Sequence, residues 1–390
     1  MRAQDSVSRE AASDETPRVE LLIFQTTPFC NINCSYCYLP NRQAKERILP
    51  SVVSRVTQSV LDAGWIADQV TVVWHAGEPL VVGPDCLEHL MDACAPLCQN
   101  KIRVQQYVQT NAMLINDRFC ELFLRKHVRI GVSIDGPRDL HDRSRVTRAG
   151  AGTFDKVVRG IAKLRDFGIG FDVICVLTLD SLHRAEELYE FFSKLGASTV
   201  GFNVDEIEGA NSSSSMNQQN FFESLSKFWD AMFRVHFKQR AFRLRESDDL
   251  LEAIRYGRPG EKGNLLRPFS IVTVAVDGSI GTFSPELLGQ RDHRYGDFAI
   301  GNICSETMTQ IAASPRFLRM RAEIEAGVRR CFQECAYFQV CGGGAPSNKI
   351  AEHGTFDATE TKHCRATKMV IVDSLLRAAK PYQSNGPVVH

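Results

Sequence analysis

The chain has 390 residues, enough for one large domain or two ordinary domains with substantial cores. Lysine plus arginine and aspartate plus glutamate both number 46, so no net charge favours binding to nucleic acid or an anionic membrane. No apolar stretch is long enough to span a bilayer, and the polar first residues lack the apolar core of a secretion signal. We therefore expect a cytoplasmic protein in which residues 1–20 form a disordered leader.

Residues 21 to about 208 alternate short apolar runs with amphipathic stretches. Six runs have the length and composition of strands: LLIFQTT, QVTVVWHAGEP, RVQQYVQTNA, RIGVSIDG, FDVICVLT and TVGFNVDE. The stretches between them show helical spacing of apolar residues, and several end at glycine. Six strand–helix units predict parallel strands with right-handed crossovers, in an open doubly wound sheet or a partial barrel. In both folds, functional residues lie at the carboxyl ends of the strands.

The composition changes after the sixth strand. Residues 209–216, GANSSSSM, have the composition of a flexible loop, and residues 209–267 are predicted to form a helical linker region. The block FSIVTVAVDGSIGTFSPELLG predicts a hairpin that turns at Asp277-Gly278, a pair that tolerates positive φ. This hairpin begins a cysteine-rich module, residues 268–378, and a short tail, residues 379–390, follows it.

Three cysteines follow the first strand, in the segment TTPFCNINCSYCYLP. Cys30, Cys34 and Cys37 are separated by three and then two residues, and Tyr36 directly precedes the last of them. Three thiolates can hold three irons of a [4Fe–4S] cluster and leave the fourth iron open to a substrate group. Zinc normally takes four ligands in paired spacings, and no fourth Cys or His is close in the sequence. The alternatives are a zinc knuckle or three unrelated buried thiols.

The spacing and the aromatic residue resemble the signature of the radical SAM superfamily, whose members bind S-adenosylmethionine (SAM) at the open iron. The resemblance implies an α/β fold, a partial (β/α)6 barrel over residues 21–208. The segment His75-Ala76-Gly77-Glu78-Pro79 is similar to the superfamily's GGEP motif, with alanine in place of the first glycine. It implies that the backbone at Gly77 and the carboxylate of Glu78 receive the ammonium group of SAM.

Five further positions match the superfamily near the strand ends. Ser133 and Arg145 are expected to hold the SAM carboxylate, because the arginine fork matches that group. Asn111 and Asp135 are expected to meet the ribose hydroxyl groups, and Tyr36 to lie near the adenine. Each motif also has a simpler explanation, since Gly-Glu-Pro and Asp-Gly-Pro are common turns and asparagine often caps a helix. Their order on successive strand ends favours SAM binding.

A second set of cysteines lies late in the chain: Cys331, Cys335, Cys341 and Cys364. Four thiolates can ligate one [4Fe–4S] cluster or one zinc ion. This segment resembles the C-terminal SPASM extension of radical SAM peptide maturases, which usually carries seven cysteines and two auxiliary clusters. Ala345 and the hairpin segment Thr282-Phe283-Ser284 stand where further cysteines are expected. The resemblance therefore implies a single auxiliary [4Fe–4S] cluster.

Six other cysteines show no metal-binding pattern. Thirteen cysteines, an odd number with two tight groups, indicate metal binding in a reducing compartment rather than disulfides. Cysteine is among the most buried residue types, so we expect the remaining six thiols in the apolar core. They are Cys86, Cys94, Cys98, Cys120, Cys175 and Cys304. For Cys304, the alternative is a remnant cluster ligand.

Three segments narrow the resemblance: TTPFCNINCSYCYLP, GTFSPELLG and CAYFQVCGGGAPSNKIAEHGTFDATETKHC. They look like the glycine-rich-repeat (GRRM) type of SPASM maturase, which modifies ribosomally made precursor peptides. Relatives of this type are associated with three-residue cyclophanes, in which an aromatic ring carbon is joined to the β-carbon of a residue two positions on. The resemblance implies β-hydrogen abstraction by a 5′-deoxyadenosyl radical, a precursor peptide as partner, and an electron donor of the flavodoxin or ferredoxin type.

Asp205 is the candidate for the base that accepts a proton from the substrate. If Phe202 and Val204 of the sixth strand face the helices, the carboxylate of Asp205 points into the barrel. An acidic side chain that simply faces solvent or the precursor is an equal alternative. Glu206 and Glu286 are lesser candidates.

Other outcomes of radical chemistry on a peptide remain open: a thioether crosslink, an epimerisation, or oxidation of a cysteine or serine to formylglycine. From another class, the alternative is an iron–sulfur or zinc scaffold without catalysis. The AGEP and SIDG segments argue against a scaffold, because a scaffold needs no SAM-binding groups.

Overall fold

A computed structural model of the chain describes residues 16–66, 68–256 and 265–383. Most of the predicted leader and the last seven residues of the predicted tail lie outside this described part. The described residues contain a sheet of ten strands: β1 (Leu21–Gln25), β2 (Gln69–His75), β3 (Arg103–Thr110), β4 (Arg129–Ser133), β5 (Phe171–Leu177), β6 (Thr199–Val204), β7 (Arg243–Leu244), β8 (Ile271–Val274), β9 (Ser279–Thr282) and β10 (Gly301–Asn302).

Helices alternate with the strands and follow them at the end of the chain. They are α1 (Pro50–Asp62), α2 (Pro84–Asp92), α3 (Ala95–Gln99), α4 (Asp117–Arg125), α5 (Arg138–Ser144), α6 (Phe154–Asp166), α7 (Ala185–Leu195), α8 (Phe221–Gln239), α9 (Arg245–Tyr256), α10 (Met308–Ala312), α11 (Pro315–Glu334), α12 (Phe338–Cys341), α13 (Pro346–His353), α14 (Lys362–Cys364) and α15 (Val370–Gln383). A π-helical turn, Arg365–Met369, joins the last two.

The six predicted strands are confirmed, and they lie in chain order. Each pairs in parallel with the next from β1 to β6, as the crossover helices require. In β5, the side chains of Phe171, Val173, Cys175 and Leu177 are buried while the intervening residues are partly exposed. Because all carboxyl ends of these strands meet at one edge, the loops that carry the predicted site residues meet there as well.

The hairpin predicted after residue 268 extends the same sheet. β8 lies parallel to β1, with Leu21 opposite Ile271, and β9 returns antiparallel to β8. The turn is where the sequence predicts it, with Gly278 at φ +85°. The predicted boundary between the barrel and the cysteine-rich module therefore falls inside one continuous sheet.

The region predicted as a linker packs closely against the barrel. The rings of Phe228 and Trp229 in α8 contact the ring of Phe202 in β6, with centroids 5.6 and 5.8 Å apart. In the loop predicted to be flexible, Asn211 and Met216 are buried. This loop is therefore an ordered part of the barrel edge, although residues 257–264 of the predicted linker lie outside the described residues.

The C-terminal helix α15 packs on α8. The Nη2 atom of Arg377 lies 2.9 Å from an oxygen of Asp230, and the hydroxyl of Ser374 donates to the carbonyl of Ser226 at 3.4 Å. The helix continues to Gln383, so the tail predicted from residue 379 begins inside it. Buried apolar residues from Val19 to Leu375 form one contiguous core. None of the described helices is long and apolar enough to cross a membrane.

The prediction that the six unassigned thiols are buried is confirmed in part. Cys94, Cys120 and Cys175 are buried in the core, and Cys86 is half-buried. It is wrong for Cys98 and Cys304, which are exposed. Cys98 lies on the exposed side of the short helix α3 and Cys304 in a surface turn after β10, so neither enters the core.

Candidate active site

The first three cysteines lie in the loop that follows β1. Cys30 is buried, and Cys34 and Cys37 are half-buried, with the amide of Cys37 donating to the carbonyl of Cys34 at 3.3 Å. Burial raises the pKa of the Cys30 thiol to about 12 and that of Cys34 to about 11, and the neighbouring thiols add to both shifts. Thiolates are therefore disfavoured here unless a cation such as iron stabilises them.

Tyr36, Asp135 and Arg145 form a buried polar network beside this loop. The Tyr36 hydroxyl donates to Oδ2 of Asp135, and Nε of Arg145 donates to the same oxygen at 2.9 Å. The amide of Val176 donates to the other oxygen at 3.0 Å, so Asp135 is held on both sides. Nη1 of Arg145 lies 4.0 Å from Sγ of Cys34. Asp135 thus orients the guanidinium group toward the cysteines.

Glu78 is fully buried at the carboxyl end of β2, with 1% exposure. Its Oε1 accepts from the Thr110 hydroxyl at 2.7 Å and from the Leu80 amide at 3.0 Å, and its Oε2 accepts from the Asn111 amide at 2.8 Å. Burial raises the pKa of Glu78 to about 7, against the effect of these donors. A carboxylate has about four acceptor positions, so one position on Oε2 has no donor among the described residues.

Gly77 allows this motif to pack against the cysteine loop. Its φ is +56°, and a Cβ atom there would lie 2.4 Å from the Phe29 carbonyl oxygen and 2.5 Å from that of Thr27. Only glycine fits such a close backbone approach. Ala76, which replaces the first glycine of the motif, is buried with a φ of +67°, so it adopts a conformation unusual for alanine.

Asn111 and Ser133 lie on the next two strand ends. The Nδ2 atom of Asn111 donates to Oδ1 of Asn31 at 2.7 Å and is 4.0 Å from Sγ of Cys30. The hydroxyl of Ser133 accepts from Nε2 of Gln109 at 3.0 Å. Asn111 therefore contacts the cysteine loop directly, whereas Ser133 is bound to a side chain of β3.

The second four cysteines line one small cavity. Cys331 lies near the end of α11, Cys335 directly follows that helix, and Cys341 and Cys364 end α12 and α14. Residues 342–344, all glycine, have φ of +75°, +128° and +78°, which residues with side chains rarely adopt. This glycine turn brings the chain back over the cavity, where the Cys331 thiol lies 3.6 Å from the Gly343 carbonyl oxygen.

The arrangement of the thiols fits iron–sulfur clusters. Among the described residues, no group of three or more His, Cys, Asp and Glu side chains is placed to hold one metal ion. Both sets of thiols nevertheless supply the donors that iron–sulfur clusters use. The second set offers four thiols around one cavity, and the first offers three, which would leave one iron of a four-iron cluster open.

A larger cavity lies between β6, the hairpin and the second set of cysteines. We call it the glutamate cavity because Glu206, Glu208 and Glu286 line it, and its volume is about 190 Å³. Cys341 and Cys364 also contribute to its wall. The glutamate cavity therefore borders the second cysteine site.

The three carboxyl groups of this cavity resist ionisation. Glu208 is 2% exposed and its Oε1 has no hydrogen-bond partner among the described residues. Burial, and then the charge of Glu286, raise the pKa of Glu208 to about 8. Burial also raises the pKa of Glu286 and, with the other two carboxylates, that of Glu206. The sequence analysis did not identify Glu208. The acidic run Asp-Glu-Ile-Glu that follows β6 is the pattern that could have indicated it.

Tyr38 connects the glutamate cavity to the first cysteine loop. Burial, followed by the charges of Glu286, Glu208 and Cys37, raises the pKa of the Tyr38 hydroxyl well above its usual value. The carbonyl oxygen of Tyr38 accepts from the Ala210 amide at 2.8 Å. The cavity therefore lies between the two cysteine sites.

Asp205 lies at the edge of this region. Phe202 and Val204 are buried, with Phe202 against helix α8, as predicted for the sixth strand. Oδ2 of Asp205 accepts from the Ser215 amide at 2.8 Å, while Oδ1 is buried without a partner in the described part of the chain. Burial raises the pKa of Asp205. Its carboxylate is thus held by the loop after β6 and is not part of the wall of the glutamate cavity.

Comparison with known proteins agrees with this geometry. Residues 24–207 match the model of the radical SAM superfamily. An uncharacterised Synechocystis protein, sll1766, is 36% identical over 353 residues, which are 88% of this chain and 88% of that protein. The chain belongs to the radical SAM superfamily and is a radical SAM enzyme, which uses SAM and a [4Fe–4S] cluster.

More distant relatives have described activities. The cysteine-type anaerobic sulfatase-maturating enzyme of Clostridium perfringens is 23% identical over 346 residues, 84% of this chain and 89% of that enzyme. The structure of native anSMEcpe with bound AdoMet and Cp18Cys peptide has a TM-score of 0.77 at 21% identity, covering 95% and 98% of the two chains. Streptococcus suis SuiB bound to the precursor peptide SuiA has a TM-score of 0.64 at 15% identity, covering 93% and 79%. These structures share the fold of this chain.

Proposed function

We propose that this protein is a radical SAM maturase that forms a carbon–carbon crosslink in a ribosomally made precursor peptide. The glutamate cavity carries the proposal, because it lies between the two cysteine sites and its volume of about 190 Å³ has room for a side chain of a bound peptide. The relatives support a peptide or protein substrate, since two similar structures contain peptides. The GRRM-like segments support the three-residue cyclophane as the product.

In this proposal the two cysteine sites have separate tasks. Cys30, Cys34 and Cys37 hold the first cluster, where reduced iron and SAM together supply a 5′-deoxyadenosyl radical that removes one hydrogen atom from the substrate β-carbon. Glu78 accepts the SAM ammonium group, and Arg145, oriented by Asp135, receives the SAM carboxylate. These side chains fix SAM beside the cysteine loop and away from water.

The crosslink requires the substrate to lose a further proton and a further electron. The proton passes to a carboxylate, and the candidates are Asp205, Glu206 and Glu286. Glu206 and Glu286 line the cavity itself, and their raised pKa values make the ionised form of either a stronger base toward a bound peptide. The four late cysteines border the same cavity and would hold the auxiliary cluster, which would supply an acceptor for the electron. An electron donor of the flavodoxin or ferredoxin type would reduce the first cluster.

The test incubates the reconstituted enzyme anaerobically with SAM, dithionite and the short peptide encoded beside its gene. We expect the peptide to lose two hydrogen atoms for each 5′-deoxyadenosine released. Tandem mass spectrometry should show fragmentation suppressed across three residues, because the ring keeps the pieces together. Release of 5′-deoxyadenosine with an unmodified peptide mass would contradict crosslinking and indicate an epimerase.

Formylglycine formation is the second candidate. It is favoured by the relatives named as sulfatase-maturating enzymes, which align over most of this chain. Oxidation of serine to formylglycine also removes two hydrogen atoms, so mass alone does not separate it from a crosslink. An aldehyde-reactive hydrazide does, because it labels formylglycine and leaves a crosslinked peptide unlabelled. Labelling of a sulfatase-derived peptide would replace the first proposal with the second.

A further inference from the structure

A buried lysine lies against the second cysteine site. Lys349, on α13, is 3% exposed, and its Nζ donates to Sγ of Cys331 at 3.5 Å. A Cβ atom added to Gly344 of the glycine turn would lie 3.6 Å from its Cε, and one added to Gly327 of α11 would lie 3.1 Å from its Nζ. The ammonium group is therefore enclosed between α11 and the glycine turn.

Within the described part of the chain, no ion pair joins Lys349 to a carboxylate, and the Cys331 sulfur is the side-chain acceptor for its Nζ. Glu360 lies in the wall of the cysteine cavity, where its charge acts on Cys364. Lysine is almost never fully buried without a partner, because removing its charge from water is costly. The Cys331 sulfur is therefore the group placed to balance the charge of Lys349.

We infer that Lys349 raises the reduction potential of the auxiliary cluster, and so equips it to take an electron from the substrate. Four thiolates outweigh the positive charge of the iron–sulfur core, so the ligated cluster is an anion. One added electron makes that anion more negative. A fixed cation hydrogen-bonded to a ligating sulfur stabilises the reduced form more than the oxidised form.

The protein then provides different acceptors for the electron and for the proton that the substrate loses in the proposed reaction. The substrate would give one proton to a carboxylate, and the auxiliary cluster would supply the acceptor for one electron. Lys349 is not part of the wall of the glutamate cavity and would act through the charge it places beside Cys331, so it is a positioning residue. This role depends on the auxiliary cluster and is independent of the particular bond that the enzyme forms.

The test is a redox titration of the full-length reconstituted protein, followed by electron paramagnetic resonance. The variant Lys349→Met keeps the length of the side chain and removes the charge. Signals of the auxiliary cluster are assigned in a background that lacks Cys30, Cys34 and Cys37. The matched control is Lys362→Met, which removes the same charge from an exposed position of the same module.

We expect Lys349→Met to keep its auxiliary iron and to shift the midpoint potential of that cluster to a more negative value, while Lys362→Met leaves it unchanged. An unchanged midpoint in Lys349→Met, or equal shifts in both variants, would overturn the inference. If Lys349→Met loses iron, Lys349→Gln decides: a lower midpoint with full iron supports the role. A normal midpoint or loss of iron again would show that Lys349 is only structural.

Because the titration needs no substrate, its result is independent of the proposed crosslinking reaction. A failed peptide assay with a lowered midpoint in Lys349→Met would reject the substrate assignment and leave the role of Lys349 standing. Normal crosslinking by the wild type with an unchanged midpoint in Lys349→Met would support the substrate assignment and reject the role of Lys349.

Discussion

The two cysteine sites lie in surroundings of different chemistry. The first is built from strand ends, and Glu78, Asp135 and Arg145 bring both signs of charge to within reach of three thiols. The second is built from helix ends and a glycine turn, with Lys349 buried against a thiol and Lys368 in the wall of the same cavity. Polar groups of both signs suit a zwitterionic cofactor such as SAM. Four thiols with lysine side chains beside them suit a cluster that exchanges only electrons.

The largest effect should come from removing the thiols of each site in turn. The wild-type protein, reconstituted anaerobically, should bind about eight irons, two four-iron clusters. Replacing Cys30, Cys34 and Cys37 with alanine should remove half of them and abolish SAM cleavage. Cys341→Ala should instead impair the auxiliary cluster and leave cleavage in place, with poor coupling to product.

Iron analysis and chromatography of 5′-deoxyadenosine measure both outcomes. Twelve irons in the wild type, or four irons with one zinc, would contradict the division into two cluster sites. A folded Cys341→Ala protein that lacks the second cluster yet crosslinks normally would contradict the electron-acceptor role.

An intermediate effect is expected from the polar groups of the first site. Glu78→Gln keeps the shape of the side chain but removes the charge that faces the SAM ammonium group. Charge-assisted hydrogen bonds contribute about 1.5–3 kcal/mol, so SAM affinity should fall about ten- to a hundredfold with normal iron content. Equilibrium binding of SAM by calorimetry measures this loss. Equal affinity in variant and wild type would remove Glu78 from the SAM site.

The smallest effect concerns the cavity between the two sites. The pKa of Glu208 is about 8 in the folded protein and near 4.5 when unfolded, so the folded state keeps a proton that the unfolded state loses. Stability should therefore fall as pH rises from about 4.5 to 8. Glu208→Gln does not titrate, so its stability relative to the wild type should increase as pH rises toward 8.

Thermal unfolding at several pH values measures this difference, with the exposed Glu190→Gln as the control. The difference in Tm between Glu208→Gln and the wild type should grow from pH 5 to pH 8. A difference that stays constant over this range would show that Glu208 is ionised throughout.

The sequence predicted the strands of the barrel and the residues at their ends because both follow from local patterns. Alternating apolar runs define β1 to β6, and parallel topology then brings the cysteine loop, Glu78, Asn111 and Asp135 to one edge. The hydrogen bonds within that edge were not predictable. Asp135 and Tyr36 are 99 positions apart, and their contact depends on how two loops fold over the sheet.

Burial was harder to predict than position. Cys98 and Cys304 were expected in the core on the usual behaviour of cysteine, but the exposed side of a short helix and a surface turn leave them exposed. Lys349 is the opposite case, because lysine is usually exposed and no sequence pattern indicated its burial. Its burial depends on the glycine turn of residues 342–344, whose backbone conformation no local sequence pattern gives in detail.

Because β8 pairs with β1, the C-terminal extension is not a module that can be separated from the barrel. Backbone bonds along Leu21–Phe24 join the strand that leads into the first cysteine loop to the strand that begins the C-terminal extension. Cutting the chain before β8 would expose one edge of β1, and open edges pair with other chains. The extension is therefore the last wall of the barrel as well as the support of the second cysteine site. Grafting it between related enzymes would require matching β1, because the two strands share one register.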